Sequence, residues 1–131
     1  MVGALVDTSV VIALDLAAVY DAVPDDFAIS AITFGELATG TLLAVDSIER
    51  ALRQARLQQL EEFYEPVPFD GAAARSYGLI VAAVNSSGRS HRSRIADLMI
   101  AATAHANRLA LYTRNADDFA GLEAIIEVVG L

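Results

Sequence analysis

The chain has 131 residues, 55% of them hydrophobic, and a mean hydropathy of +0.45, which suits one well-filled domain over residues 1–131 and excludes a disordered chain. Its formal charge is −8, from 9 basic and 17 acidic residues, and it holds no Cys; disulfides, thiolate metal sites and Cys nucleophiles are thereby excluded. No apolar run approaches the roughly 20 residues of a membrane span, and no Lys or Arg precedes Arg50, so no membrane partner and a cytoplasmic location are expected.

Val2 to Val6 is apolar on both faces, which predicts a short buried strand. Asp7 ends it, and Thr8 or Ser9 is placed to cap a helix beginning near Val10. This puts Asp7 at the carboxyl end of a strand, where ligands gather in α/β domains. After the Pro24-Asp25-Asp26 turn, Phe27 to Ser30 is a second strand candidate. The following ITFGELATG reads as a helix ended by Gly40, with Glu36 inside it. One reading of Glu36 is structural: a capping box in which Thr33 caps and Glu36 reaches back.

Asp46 and Glu49 mark the start of a longer helix. It carries Ile48, Leu52 and Ala55 on one apolar stripe and Leu57, Leu60 and Phe63 on another. Two stripes suit a core plus a partner, or a core alone, and core alone is the simpler expectation. Glu65 to Phe69 contains two prolines, so any strand there is short or at an edge. Asp70 caps a helix from Gly71 to about Val84. Asn85 to Ser93 is the one long polar loop, and Ser93 is placed to cap the next helix, which contains Asp97. Leu109 to Tyr112 and Ala124 to Val129 are the remaining strand candidates. Strand and helix thus alternate, which predicts a mostly parallel sheet with helices on both sides.

All nine basic residues are Arg. The block from Gly71 to Ala96 has four of them and no acid, so it is about +4 and the remainder about −12. Its arginines Arg89, Arg92 and Arg94 lie in or beside the polar loop, where Arg and His91 suit phosphate and base contacts; the alternative is a solvated loop. His105 reads as a packing or helix-surface residue.

The acids at element ends are Asp7, Glu36, Asp97 and Asp117 or Asp118. Brought together, such carboxylates raise one another's pKa. A divalent cation relieves that conflict, and an all-oxygen donor set suits Mg²⁺ or Mn²⁺ better than zinc. That is the chemistry of a metal-dependent phosphodiesterase. Two other phosphate enzymes fit less well: a haloacid-dehalogenase-type phosphatase needs Asp where Ser9 stands, and a receiver domain needs a Lys.

Four segments carry a family likeness: LVDTSV at Leu5 to Val10, TFGEL at Thr33 to Leu37, ADLMIAATA at Ala96 to Ala104 and TRNADDF at Thr113 to Phe119. In this order and spacing the chain resembles the PIN domain over essentially its whole length, and specifically the VapC-type toxin ribonucleases of type II toxin–antitoxin pairs. The resemblance implies a three-layer α/β fold around a central, mostly parallel sheet. It implies an Mg²⁺-dependent endoribonuclease, with Mn²⁺ as a possible substitute. Metal-activated water is then the attacking group, leaving 5′-phosphate and 3′-hydroxyl ends.

Asp7, Glu36 and Asp97 match the family's acidic metal-site positions. At the fourth position many relatives have an acid where this chain has Asn115, so Asn115 and Asp118 are joint candidates. Thr8, Ser9 and Thr113 are candidates for holding water or phosphate, and Arg89, Arg92 and Arg94 for binding RNA. The family also implies a VapB-like antitoxin lying in a groove formed by the helices at Ile32 to Leu43 and Asp46 to Phe63, and a homodimer within a toxin–antitoxin hetero-oligomer. The amide at Asn115 keeps a second expectation in view, a catalytically silent PIN-like binding module.

Overall fold

A computed structural model of the chain describes residues 3–131. In chain order the elements are β1 (Ala4–Val6), α1 (Thr8–Val11), α2 (Ala17–Ala22), β2 (Ala28–Ile29), α3 (Ala31–Leu42), α4 (Ser47–Phe63), α5 (Gly71–Ser86), α6 (Ile95–Ala106), β3 (Ala110–Thr113), a 3-10 turn (Ala116–Phe119) and β4 (Val128–Gly130). The four strands form one sheet in the order β2-β1-β3-β4, and every pairing is parallel. Val6 is in register with Tyr112, so Asp7 and Thr113 leave adjacent strands at the same end of the sheet.

Both faces of the sheet are covered, which makes three layers. Alternate residues of a strand point to opposite faces. Leu5 and Leu111 pack with Ile80 and Val84 of α5, Leu98 and Ile100 of α6, and Phe119. Ala4 and Val6 pack on the other side with Val10, Val19, Ile29, Phe34 and Leu57. Ala101, Ala102 and Ala104 of α6 are fully buried; small side chains let that helix sit close to α5 and the sheet.

Several local expectations give way to tertiary contacts. Val2 lies outside the described residues, and β1 begins at Ala4. The second strand contracts to Ala28–Ile29, with Ser30 forming a single bridge to Val67. The last strand is not Ala124 to Val129 but Val128–Gly130. Helix α1 starts at Thr8, with Asp7 at its N-cap and no side-chain cap bond: the Asp7 carboxylate accepts from the Ser9 and Thr113 hydroxyls instead, and Thr8 Oγ1 donates to Glu36.

Helix α3 runs through Gly40 to Leu42, and the Gly40 carbonyl accepts a hydrogen bond from Arg53 Nη1 at 2.9 Å. The glycine thus marks the approach of α4 rather than the end of α3. The capping-box reading of Glu36 also fails. Ser30 is the cap, accepting from the Thr33 amide at 3.1 Å, while Thr33 lies inside the helix. Asp46 and Asp70 cap α4 and α5 as expected, accepting from Glu49 N at 2.8 Å and Ala73 N at 3.0 Å. Ser93 does not cap α6; Arg94 occupies that position without a side-chain cap bond.

Core packing alone does not account for α4. Leu57 is buried, but Ile48 (71%), Leu52 (64%) and Phe63 (75%) are exposed. No helix among the described residues is long and apolar enough to cross a membrane.

Candidate active site

Asp7 is held rigidly at the end of β1. It is 3% exposed, and its amide donates to Tyr112 O at 2.8 Å. Its Oδ2 accepts from Ser9 Oγ at 2.8 Å and from Thr113 Oγ1 at 2.9 Å. Those two hydroxyls in turn accept from backbone amides of the next turn, Ser9 from Arg114 N at 3.1 Å and Thr113 from Asn115 N at 3.0 Å. Each hydroxyl has one proton, so both protons are committed to the carboxylate and the whole web has a single orientation. Asp7 Oδ1 is buried with no hydrogen-bond partner. An unpaired buried carboxylate oxygen is costly, and it is the donor that a cation would satisfy.

Glu36 is oriented by a second hydroxyl chain. Its Oε1 accepts from Thr8 Oγ1 at 2.7 Å. Thr8 Oγ1 lies 2.9 Å from Thr33 Oγ1, so with its own proton on Glu36 it accepts there. Thr33 Oγ1 in turn accepts from Ser30 Oγ at 3.4 Å. The chain Ser30, Thr33, Thr8, Glu36 therefore directs its protons one way, toward the carboxylate.

Asp97 sits in the first turn of α6. Its carboxyl is pushed up from 3.8 to about 6, first by burial and then by the negative charges of Asp7, Asp118 and Glu36, against the lowering effect of Arg94. Residues from β1, α3, α6 and the 3-10 turn thus act on one carboxylate. Asp118 is half-exposed, with Oδ1 at 3.5 Å from Arg94 Nη1. Asn115 precedes the 3-10 turn and its carbonyl accepts from Asp118 N at 2.9 Å, while Asp117 is exposed. Among the described residues, no three His, Cys, Asp or Glu side chains are already arranged to enclose a metal.

The three loop arginines part company. Arg94 Nη1 donates to Asp118 O at 2.8 Å and lies 3.5 Å from Asp117 O, so its head is turned to the acid turn. Arg89 and Arg92 instead line an open pocket of about 420 Å³ with Asn85, Gly88, Ser90 and His91. His105 packs against α5, with Nδ1 2.7 Å from Ser76 Oγ. Sequence reasoning missed Ser30 and Thr33 as supports of Glu36; the available signal was hydroxyl residues three (Thr33) and six (Ser30) positions ahead of it.

A cavity of about 560 Å³ opens between α3 and α4. Thr8 and Glu36 line one part, with Ile12, Leu37, Leu52, Arg53 and Arg56 among the other walls. The acid site and this groove therefore share two residues.

The PIN domain profile matches residues 4–124, and the chain belongs to the PIN-domain family. Within it, the chain is of the VapC type. It is 37% identical over 129 residues to Ribonuclease VapC5 of Mycobacterium tuberculosis, covering 95% of this chain and 93% of that one. The crystal structure of VapBC-5 from M. tuberculosis, a member of the VapBC family of toxin–antitoxin systems, superposes with a TM-score of 0.84 at 36% identity, covering 99% of this chain and 98% of that one. FitAcB from Neisseria gonorrhoeae superposes with a TM-score of 0.80 at 28% identity, over 99% and 97% of the two chains.

Proposed function

We propose that this protein is the toxin of a toxin–antitoxin pair, an endoribonuclease that depends on Mg²⁺ or Mn²⁺. The observation that carries this reading is Asp7 Oδ1, buried and unpaired, beside an Asp97 carboxyl raised to about 6 by burial and by the charges of Asp7, Asp118 and Glu36. The donor set fits a hard cation: Asp7 and Asp97 would hold it, with Glu36, Asp118 and Asn115 as further candidate oxygen donors. Mg²⁺ keeps several waters and uses one or two carboxylates together with substrate phosphates. The chemistry such an ion supplies is a lower pKa for water and compensation of charge on the phosphate.

The chain's own residues do the rest. Ser9 and Thr113 lock Asp7, and Thr8 and Thr33 lock Glu36, so the carboxylates are preorganised before substrate arrives. Arg89 and Arg92 offer the RNA backbone positive charge on an otherwise acidic protein. Water, not the ribose 2′-oxygen, is the attacking group, so the products carry 5′-phosphate and 3′-hydroxyl ends. Mapping RNA ends after incubation with purified protein tests this; recovery of 2′,3′-cyclic phosphates would overturn it.

The groove between α3 and α4 is the proposed seat of a VapB-like antitoxin. Its apolar walls and the exposed Leu52 suit a partner segment, and the adjoining Glu36 suits a basic group at that segment's end. The likeness to VapBC-5, a toxin–antitoxin system, supports a hetero-oligomer, and a homodimer of the toxin within it is part of the same proposal. One residue favours a second reading, a silent binding module: Asn115 is an amide at the position where the family resemblance implies an acid. Mn²⁺ titration coupled to RNA cleavage separates the two.

A further inference from the structure

Arg94 has an unusual position for a basic residue in an RNA-binding protein. It precedes α6 by one residue, three before Asp97, yet its guanidinium reaches the 3-10 turn more than twenty residues later. Nη1 makes its short contact, 2.8 Å, to the Asp118 carbonyl; the Asp117 carbonyl and the Asp118 carboxylate both lie at 3.5 Å. The strongest contact is therefore to backbone, and it persists whatever the Asp118 carboxylate binds. The same cation lowers the Asp97 carboxyl, so it acts on both acids at once. Arg89 and Arg92, by contrast, face the open loop pocket.

We infer that Arg94 is a positioning residue: it ties the turn bearing Asp118 to the first turn of α6 bearing Asp97, and so sets the distance between two carboxylates of the site. Asn115 precedes that turn and its carbonyl receives the Asp118 amide, so the tie also acts on the backbone at Asn115. Arg94 is then committed to the protein's own backbone rather than to RNA. This inference rests on the proposed site, and its test contains an arm that needs neither metal nor RNA.

The experiment compares Arg94→Ala, Arg94→Lys and Arg92→Ala in the full chain. The first readout is amide hydrogen exchange across residues 115–119 without metal or RNA. Arg94→Ala should raise exchange there while α5 and β3 remain protected, Arg94→Lys should restore part of the protection, and Arg92→Ala should leave it unchanged. The second readout is Mn²⁺ binding by calorimetry, where loss of a residue that orients a ligand weakens affinity about 10-fold or more. The third is steady-state cleavage: Arg94→Ala should lower kcat with little change in KM, whereas Arg92→Ala should raise KM and flatten its salt dependence.

Unchanged exchange at 115–119 in Arg94→Ala overturns the inference. So does a rise in KM with a reduced salt slope and unaltered Mn²⁺ affinity, which would make Arg94 an RNA contact. If Arg94→Ala fails to fold, Arg94→Lys and Arg94→Gln decide by the same exchange readout. A wild-type protein that neither binds Mn²⁺ nor cleaves RNA overturns the nuclease reading, while exchange in the turn still decides the role of Arg94.

Discussion

Asp97→Asn is predicted to stabilise the metal-free protein while abolishing cleavage. The carboxyl rises from 3.8 to about 6 on folding, which corresponds to about 3 kcal/mol at roughly 1.4 kcal/mol per pH unit. Solvent screening at a half-buried carboxylate reduces this to about 1–2 kcal/mol. Against it stands the favourable interaction of an acid with a helix N-terminus, about 0.3–1 kcal/mol, which the amide loses. The penalty of burial and of neighbouring charge wins, leaving a net gain of about 1 kcal/mol for Asn, or roughly 4 °C in Tm for a domain of this size. The sign with pH follows from linkage. The native pKa lies above the unfolded one, so folding carries no penalty from this group below about pH 4, a growing penalty between about pH 4 and 6, and the full penalty above. Thermal unfolding in EDTA at pH 7.5 and pH 4 is the assay. The Asn variant should melt higher at pH 7.5 and level with wild type at pH 4. Added Mn²⁺ should reverse the order at pH 7.5, since an ion held at 100 times its Kd stabilises the wild type by about 2.7 kcal/mol. An Asn variant that is less stable at pH 7.5 in EDTA, or a difference that does not change with pH, would refute the argument that burial and neighbouring acids penalise the ionised Asp97 carboxylate.

Thr113→Val keeps the shape of a fully buried side chain but removes the donor to Asp7 Oδ2 and the acceptor for Asn115 N. It should cost about 1–3 kcal/mol in urea unfolding and lower the cleavage rate; unchanged stability would mean that the hydroxyl web carries no load. Gly121→Ala should destabilise by more than about 1 kcal/mol, because φ is +95° and the new Cβ would lie 2.9 Å from Ser87 Oγ; a neutral result by the same urea assay would remove the turn constraint. Leu52→Asp places a charge on an exposed groove wall. It should leave Tm nearly unchanged and weaken antitoxin binding about tenfold or more by calorimetry; equal affinity would move the partner elsewhere.

The sheet and its acids were legible because their signals are local. A buried apolar run followed by Asp7, and helix starts at Asp46 and Asp70, each depend on residues within a few positions. The supports of the acids were not legible in the same way. Thr113 and Asp7 are 106 positions apart, and Thr8 and Glu36 are 28 apart. Locally, Thr8 and Ser9 have the chemistry of helix caps. Only the parallel pairing of β1 with β3 shows that Ser9 faces Thr113. Gly40 likewise reads as a helix stop until the approach of Arg53 explains it. Ser93 lost its expected role because the chain enters α6 through Arg94, whose long side chain is spent on the turn rather than on a cap.

An excess of negative charge works against RNA binding, so the distribution of charge has to do what its total does not. The acids that face one another, Asp7, Glu36, Asp97 and Asp118, gather at the carboxyl end of the sheet, where Asp97 already responds to the crowding. The free arginines, Arg89 and Arg92, lie on the loop leading into the helix that carries Asp97. On the other side, Glu36 and Thr8 belong equally to the acid site and to the groove between α3 and α4. A phosphate chain approaching from the arginine side and a basic peptide approaching along the groove therefore meet at the same carboxylates, and cannot both be accommodated there. On the proposed function, inhibition by a groove-bound partner would need no distant conformational change: a partner's cation paired with Glu36 would neutralise a carboxylate of the proposed site.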